Sequence, residues 1–125
     1  MLFDTDVLIW ALRGYVSAQK EIDLAEQRFI SAVSYMELMQ GARNKAEQKS
    51  IKQFLNVLGF ELIPIDTNIS HRASIFIEEF ALKSGICLAD ALIFATACEH
   101  SICLCSANKK HYQHINTLNS KEFKP

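Results

Sequence analysis

The chain has 125 residues, half of them apolar or aromatic and 22% charged, with a formal net charge of −1. Those figures fit one globular domain over residues 1–125 and exclude a strongly basic nucleic-acid binder that works by bulk electrostatics. No apolar run approaches the ~20 residues that span a bilayer, and no basic segment with a cleavage site marks a secretory signal, so the expectation is a cytoplasmic protein without membrane contact.

Strand-like and helix-like patterns alternate along the chain. MLF at the start is a short apolar run, read as a strand. DVLIWALR reads as a helix stopped by Gly14. Residues 17–26 are weakly helical, RFIS is a short strand, and AVSYMELMQGA is a helix reaching about Gly41. AEQKSIKQFLNVLG is the clearest amphipathic helix, with Ile51, Phe54, Leu55 and Leu58 at i, i+3, i+4, i+7 and Gly59 closing it. FELIPI is a strand that Pro64 confines to an end or an edge. Asp66-Thr67 caps a helix that buries Ile69, Ala73, Phe76, Ile77 and Phe80 and ends near Gly85. ADALIFATACEH is a further helix, SICLCS a strand, NKKHY a turn or short helix, and INTL the candidate last strand. The alternation predicts an α/β domain with a mostly parallel sheet. In such sheets, sites form at the carboxyl ends of strands, where Asp4 and Asp6 fall.

Cys87, Cys98, Cys103 and Cys105 sit in apolar stretches and read as reduced, buried, small hydrophobes. Cys103-x-Cys105 with His111-x-x-His114 is a weaker alternative, a zinc site, because the usual spacing is CxxC.

Three acids fall in surroundings expected to be dry. Asp4 ends the first strand, Glu37 is flanked by Val33, Met36, Leu38 and Met39, and Asp90 lies in LADALIFATAC, apolar nearly all round. An ionised carboxylate there costs several kcal/mol unless a cation or hydrogen-bond donors compensate. Each acid also has an ordinary reading. Ser34-x-x-Glu37 has capping-box spacing, Asp90 falls in the first turn of its helix, Asp6 can N-cap the first helix, and Asn108 can cap the turn after SICLCS. Together, however, they crowd one edge of a parallel sheet. Oxygen-only ligands suit Mg²⁺ or Mn²⁺ rather than zinc. Such a site would also let a nearly neutral protein meet a polyanion. That is the physical case for a metal-dependent nuclease.

The set DTDVLI, SAVSYMELMQGA, LADALIFATA and LCSANKKHY resembles the PIN domain, in particular the VapC-like toxins of bacterial toxin–antitoxin pairs. The motifs are short; their order and spacing carry the resemblance, which runs from Asp4 to Tyr112. It implies a Rossmann-like α/β/α sandwich around a short, mostly parallel sheet. It places the family's acids on Asp4, Glu37 and Asp90, with Asn108 at the fourth position and Ser106 where a hydroxyl usually stands. It implies Mg²⁺ or Mn²⁺ held by Asp4, Glu37 and Asp90, and hydrolysis of an RNA substrate such as tRNA or rRNA. It further implies a homodimer blocked by a cognate antitoxin protein. Two departures stand out. Asp6 replaces the more usual Asn, Ser or Thr, and Asn108 replaces a frequent Asp. For RNA contact the candidates are Arg43, with Lys45, Lys49 and Lys52 behind it, and Lys109, Lys110 and His111. The first group also reads as a solvated helix face.

Other readings fit less well. A haloacid-dehalogenase-type aspartyl-phosphate phosphatase begins with a strand and D-x-D but needs a paired-acid motif and more residues. A receiver domain needs a phosphoacceptor for which Asp66 is the one candidate. A catalytically inactive PIN-like interaction module has no reason to keep buried acids.

Overall fold

The computed structural model describes all 125 residues. In chain order the elements are β1 (Leu2–Phe3), α1 (Thr5–Leu12), α2 (Val16–Leu24), β2 (Phe29–Ser31), α3 (Ala32–Gly41), α4 (Lys45–Val57), β3 (Glu61–Ile63), α5 (Thr67–Ser84), α6 (Leu88–Glu99), β4 (Leu104–Ser106), α7 (Lys109–Tyr112) and β5 (Ser120–Glu122). The strands form one parallel sheet in the order β3-β2-β1-β4-β5. Pro64 directly follows β3, which lies at the sheet edge.

Strand side chains alternate between faces, and the two cores follow that alternation. Leu2 and Leu104 point into a core completed by α5 and α6 (Ile69, Phe76, Ile93, Phe94). Phe3 and Cys105, one residue along in each strand, point into a second core completed by α1, α2 and α4 (Leu8, Ile22, Ile51, Leu55). Helices on both faces of a parallel sheet make the α/β/α sandwich. Local chemistry sets the helix ends. The Asn44 side chain accepts from the Glu47 N–H at 2.8 Å, and that of Asp66 accepts from the Ile69 N–H at 2.9 Å. Gly85 closes α5 at φ 72°, a left-handed conformation that only glycine adopts freely.

Three expectations are corrected. INTL is not the last strand: Ile115 and Leu118 donate to Tyr112 and Ile115 as turns, and pairing with β4 begins where Leu104 N–H meets the Asn119 carbonyl. The cysteines are not uniformly buried. Cys105 is inside β4, where burial pushes its thiol up to about 12. Cys98 and Cys103 are half-buried, and Cys87, the N-cap of α6, is exposed. Asp4, not Asp6, is the N-cap of α1. No helix is long and apolar enough to cross a membrane.

Candidate functional site

The sheet grows outward from β1 in both directions, to β2 and then to β4. After β1 the chain turns into α1, whose Val7, Leu8 and Ala11 join the Phe3 core. After β4 it turns the other way, and Tyr112 of α7 joins the Leu2 core. Chains leaving adjacent strands for opposite faces open a crevice at the strands' carboxyl ends. Asp4 and Asp6 stand on one lip of this crevice, Ser106 and Asn108 on the other.

The lips are stitched together. The Asp4 N–H donates to the Cys105 carbonyl at 2.9 Å. The Asp4 carboxylate is 4% exposed and accepts from Thr5 N–H at 2.8 Å and from the Ser106 hydroxyl at 2.7 Å. Ser106 Oγ in turn accepts from Asn108 N–H at 3.0 Å. Asp6, which departs from the family's usual residue, is not idle. It accepts from Val7 N–H at 2.6 Å and, across the crevice, from Ala107 N–H at 3.1 Å.

Asp90 enters from the first turn of α6. One of its oxygens, Oδ1, has a single long contact, Asn108 Nδ2 at 3.5 Å. The other, Oδ2, lies 3.1 Å from His111 Nδ1, 3.2 Å from Cys87 Sγ and 3.4 Å from Cys87 N. Asp90 is therefore only partly enclosed, not dry.

Glu37 departs further from expectation, because it is exposed. Helix α3 buries Val33, Ser34 and Leu38, and Glu37 lies outside that stripe despite its apolar neighbours in sequence. The capping box is absent too, since Ser31 is the N-cap and Ser34 lies within the helix. Glu37 is instead tethered to the site by a residue that sequence reasoning did not single out. Thr5 Oγ1 is 2.7 Å from Glu37 Oε1 and 2.8 Å from Ser34 Oγ. The single hydroxyl proton goes to the carboxylate, which leaves the oxygen to accept from Ser34. The available signal was a hydroxyl wedged between Asp4 and Asp6.

The electrostatics are strained in one direction. Burial, and then the neighbouring Asp6 charge, push the Asp4 carboxyl up to about 7. Burial also raises Asp6, with Asp90 adding to the effect. No lysine or arginine pairs with these acids, and among the basic side chains only His111 reaches one of them, Asp90. Asp4, Asp6 and Glu37 have no cationic partner in the protein. As the side chains stand, no group of three His, Cys, Asp or Glu is gathered to hold an ion. What fits a hard divalent cation is the donor chemistry: all-oxygen side chains and mutually repelling carboxylates without a lysine or arginine to offset them.

The proposed positive contacts are unequal. Arg43 pairs with Glu47 at 3.0 Å on the surface, and both line a groove of about 780 Å³ that also takes in Glu37, Arg13 and Leu38. Lys109 and Lys110 are exposed and unpaired beside Asn108.

Solved structures resemble this chain closely in fold. A toxin–antitoxin complex from Klebsiella pneumoniae contains a chain 29% identical, with a TM-score of 0.79, covering 94% of this chain and 93% of that one. VapBC2 from Rickettsia felis, bound to a DNA fragment from its promoter, matches at 20% identity and a TM-score of 0.82 over 98% of each chain. VapBC-1 from nontypeable Haemophilus influenzae matches at 19% identity and a TM-score of 0.79, covering 98% of this chain and 96% of that one. At 19–20% identity the likeness shows the fold. No curated protein sequence matches significantly. The PIN domain family model matches residues 1–115, nearly the whole chain, and this protein belongs to the PIN domain family.

Proposed function

We propose that this PIN domain is a divalent-metal-dependent endoribonuclease and the toxin of a toxin–antitoxin pair. The observation that carries the reading is the unneutralised acid group in the crevice between β1 and β4, with Asp4 held beside Asp6 and within the field of Asp90. PIN domains are generally nucleases that use such metals. Asp4 and Asp90 would hold Mg²⁺ or Mn²⁺, with Glu37 joining them directly or through water. Bound there, the ion supplies Lewis acidity and lowers the pKa of water, so that a nucleophile exists at neutral pH.

The protein's own part is positioning. Ser106 and the Thr5 N–H hold the Asp4 carboxylate in one orientation. Asp6 bridges the crevice to Ala107 and fixes the separation of its lips. The Thr5 hydroxyl, next to Asp4 in the chain, holds the exposed Glu37 side chain. Asn108, without charge, is free to donate to a phosphate as it now donates to Asp90. Lys109 and Lys110 flank the crevice and suit an approaching RNA strand such as that of tRNA or rRNA.

The antitoxin reading rests on the toxin–antitoxin complexes among the similar structures. A homodimer is supported by exposed apolar side chains. Ile75 and Leu82, seven residues apart on α5, share a face, and Leu82 is fully exposed. Replacing Leu82 by Glu should yield a folded monomer in light scattering, with a melting temperature that no longer depends on protein concentration; a dimer that persists would move the interface elsewhere.

Cleavage of labelled RNA with Mg²⁺, with Mn²⁺ and with EDTA tests the activity, with Asp4→Asn as the control for contaminating nuclease. Metal-dependent cutting that the mutant loses is expected. No cutting under any condition, together with no detectable metal binding, would count against the nuclease and for an interaction module.

A further inference from the structure

Asp90 has two oxygens in different surroundings. Oδ2 is ringed by His111 Nδ1, Cys87 Sγ and Cys87 N, whereas Oδ1 has only the 3.5 Å contact to Asn108. We infer that His111 is a positioning residue, which clamps Oδ2 and so leaves Oδ1 as the oxygen Asp90 offers to a divalent cation. The inference rests on the metal-site reading above and assigns within it a role to a residue outside the acid set.

The geometry favours His111 over its neighbours. It gives the shortest of the contacts to Oδ2, at 3.1 Å. A thiol is a weak donor, and the Cys87 backbone contact is long. The carboxylate can only accept, so Nδ1 carries the proton in this pair. The backbone that carries the ring is anchored to the same helix. Tyr112, the next residue, is buried in an edge-to-face contact with Phe94 of α6, the helix that carries Asp90. That packing holds α7 against α6, the two helices that carry the two ends of the hydrogen bond. A carboxylate with one oxygen tied loses less freedom on binding a cation, and partners of this kind typically affect metal affinity by about 10–100-fold.

Side-chain shape gives a discriminating test. Asparagine places its amide nitrogen about where histidine has Nδ1; glutamine reaches to about where histidine has Nε2. Mn²⁺ binding is measured by calorimetry without RNA, on wild type, His111→Ala, His111→Gln, His111→Asn and Asp90→Asn, with melting curves confirming that each folds. Binding weakened about tenfold or more is expected for Ala and Gln, with Asn restoring it to within about threefold of wild type. Affinity unchanged in His111→Ala, while Asp90→Asn weakens it, would overturn the clamp and leave the metal site standing. Affinity unchanged in Asp90→Asn, or no Mn²⁺ binding by wild type, would overturn both.

Discussion

The site has two sides built to different standards, the crevice between β1 and β4 and the α3 wall beside it. On the β1–β4 side, Asp4 is almost wholly buried, the backbone of one strand holds the next, and both contacts of the Asp4 carboxylate are short. On the α3 side, Glu37 is exposed and is secured by one hydroxyl. The first wall fixes charge where water cannot screen it, and the cost falls on stability. The second keeps a charge in water at little cost and leaves it free to move. Acids proposed for one centre therefore carry opposite energetic signatures, and mutations should separate them.

The largest contrast is expected at Asp4. Asp4→Asn should reduce cleavage by at least about 10²-fold, yet make the metal-free protein more stable above pH 7. Asparagine keeps an acceptor for Thr5 N–H, its amide N–H turns to Ser106 Oγ in place of the hydroxyl's donation to the carboxylate, and it has no charge to bury. Cleavage assays and melting curves at pH 8 check both halves. Glu37→Gln should lower cleavage by about 10–100-fold and change stability by less than about 0.5 kcal/mol, because the side chain is exposed. A stability gain like that of Asp4→Asn would erase the comparison.

Thr5→Val sharpens it from the other side. Removing the hydroxyl frees Glu37 and leaves the buried Ser34 without its partner, at about 1–3 kcal/mol in chemical denaturation. Cleavage should fall toward the Glu37→Gln level, and the two changes together should add little beyond either alone. The smallest effect belongs to the lysines. Lys109→Ala should weaken RNA binding and reduce the slope of log affinity against log salt by about 1, with Lys110→Ala the same.

The buried side was legible in the sequence and the exposed one was not. Two acids directly after an apolar run, in a β-α alternation, can only fall at a strand's carboxyl end, and Asp4 is there. Asp66 and Gly85 were equally plain, because capping and left-handed backbone are local chemistry. Glu37 misled because Met36 and Leu38 adjoin it in sequence but not on its helix face: Met36 is exposed and Leu38 buried. Thr5 escaped notice since its partners lie 29 and 32 residues away. β5 was missed because all three of its residues are exposed at a sheet edge, so no apolar alternation marks it. INTL drew attention instead, since its Ile115 is buried in a turn.

The most direct measurement is the stability of metal-free wild type between pH 4 and pH 8, repeated with Mn²⁺ and with Asp4→Asn. Folding raises the Asp4 carboxyl from 3.8 to about 7. The folded state thus holds a proton that the unfolded chain has lost. Stability from this group is complete below about pH 4, falls as pH rises through 7, and then levels off. The account predicts that fall in wild type, a smaller fall in Asp4→Asn where Asp6 alone remains raised, and recovery with Mn²⁺ at pH 8 in wild type alone. A wild-type curve that Mn²⁺ leaves unmoved, or one that Asp4→Asn reproduces, would contradict it.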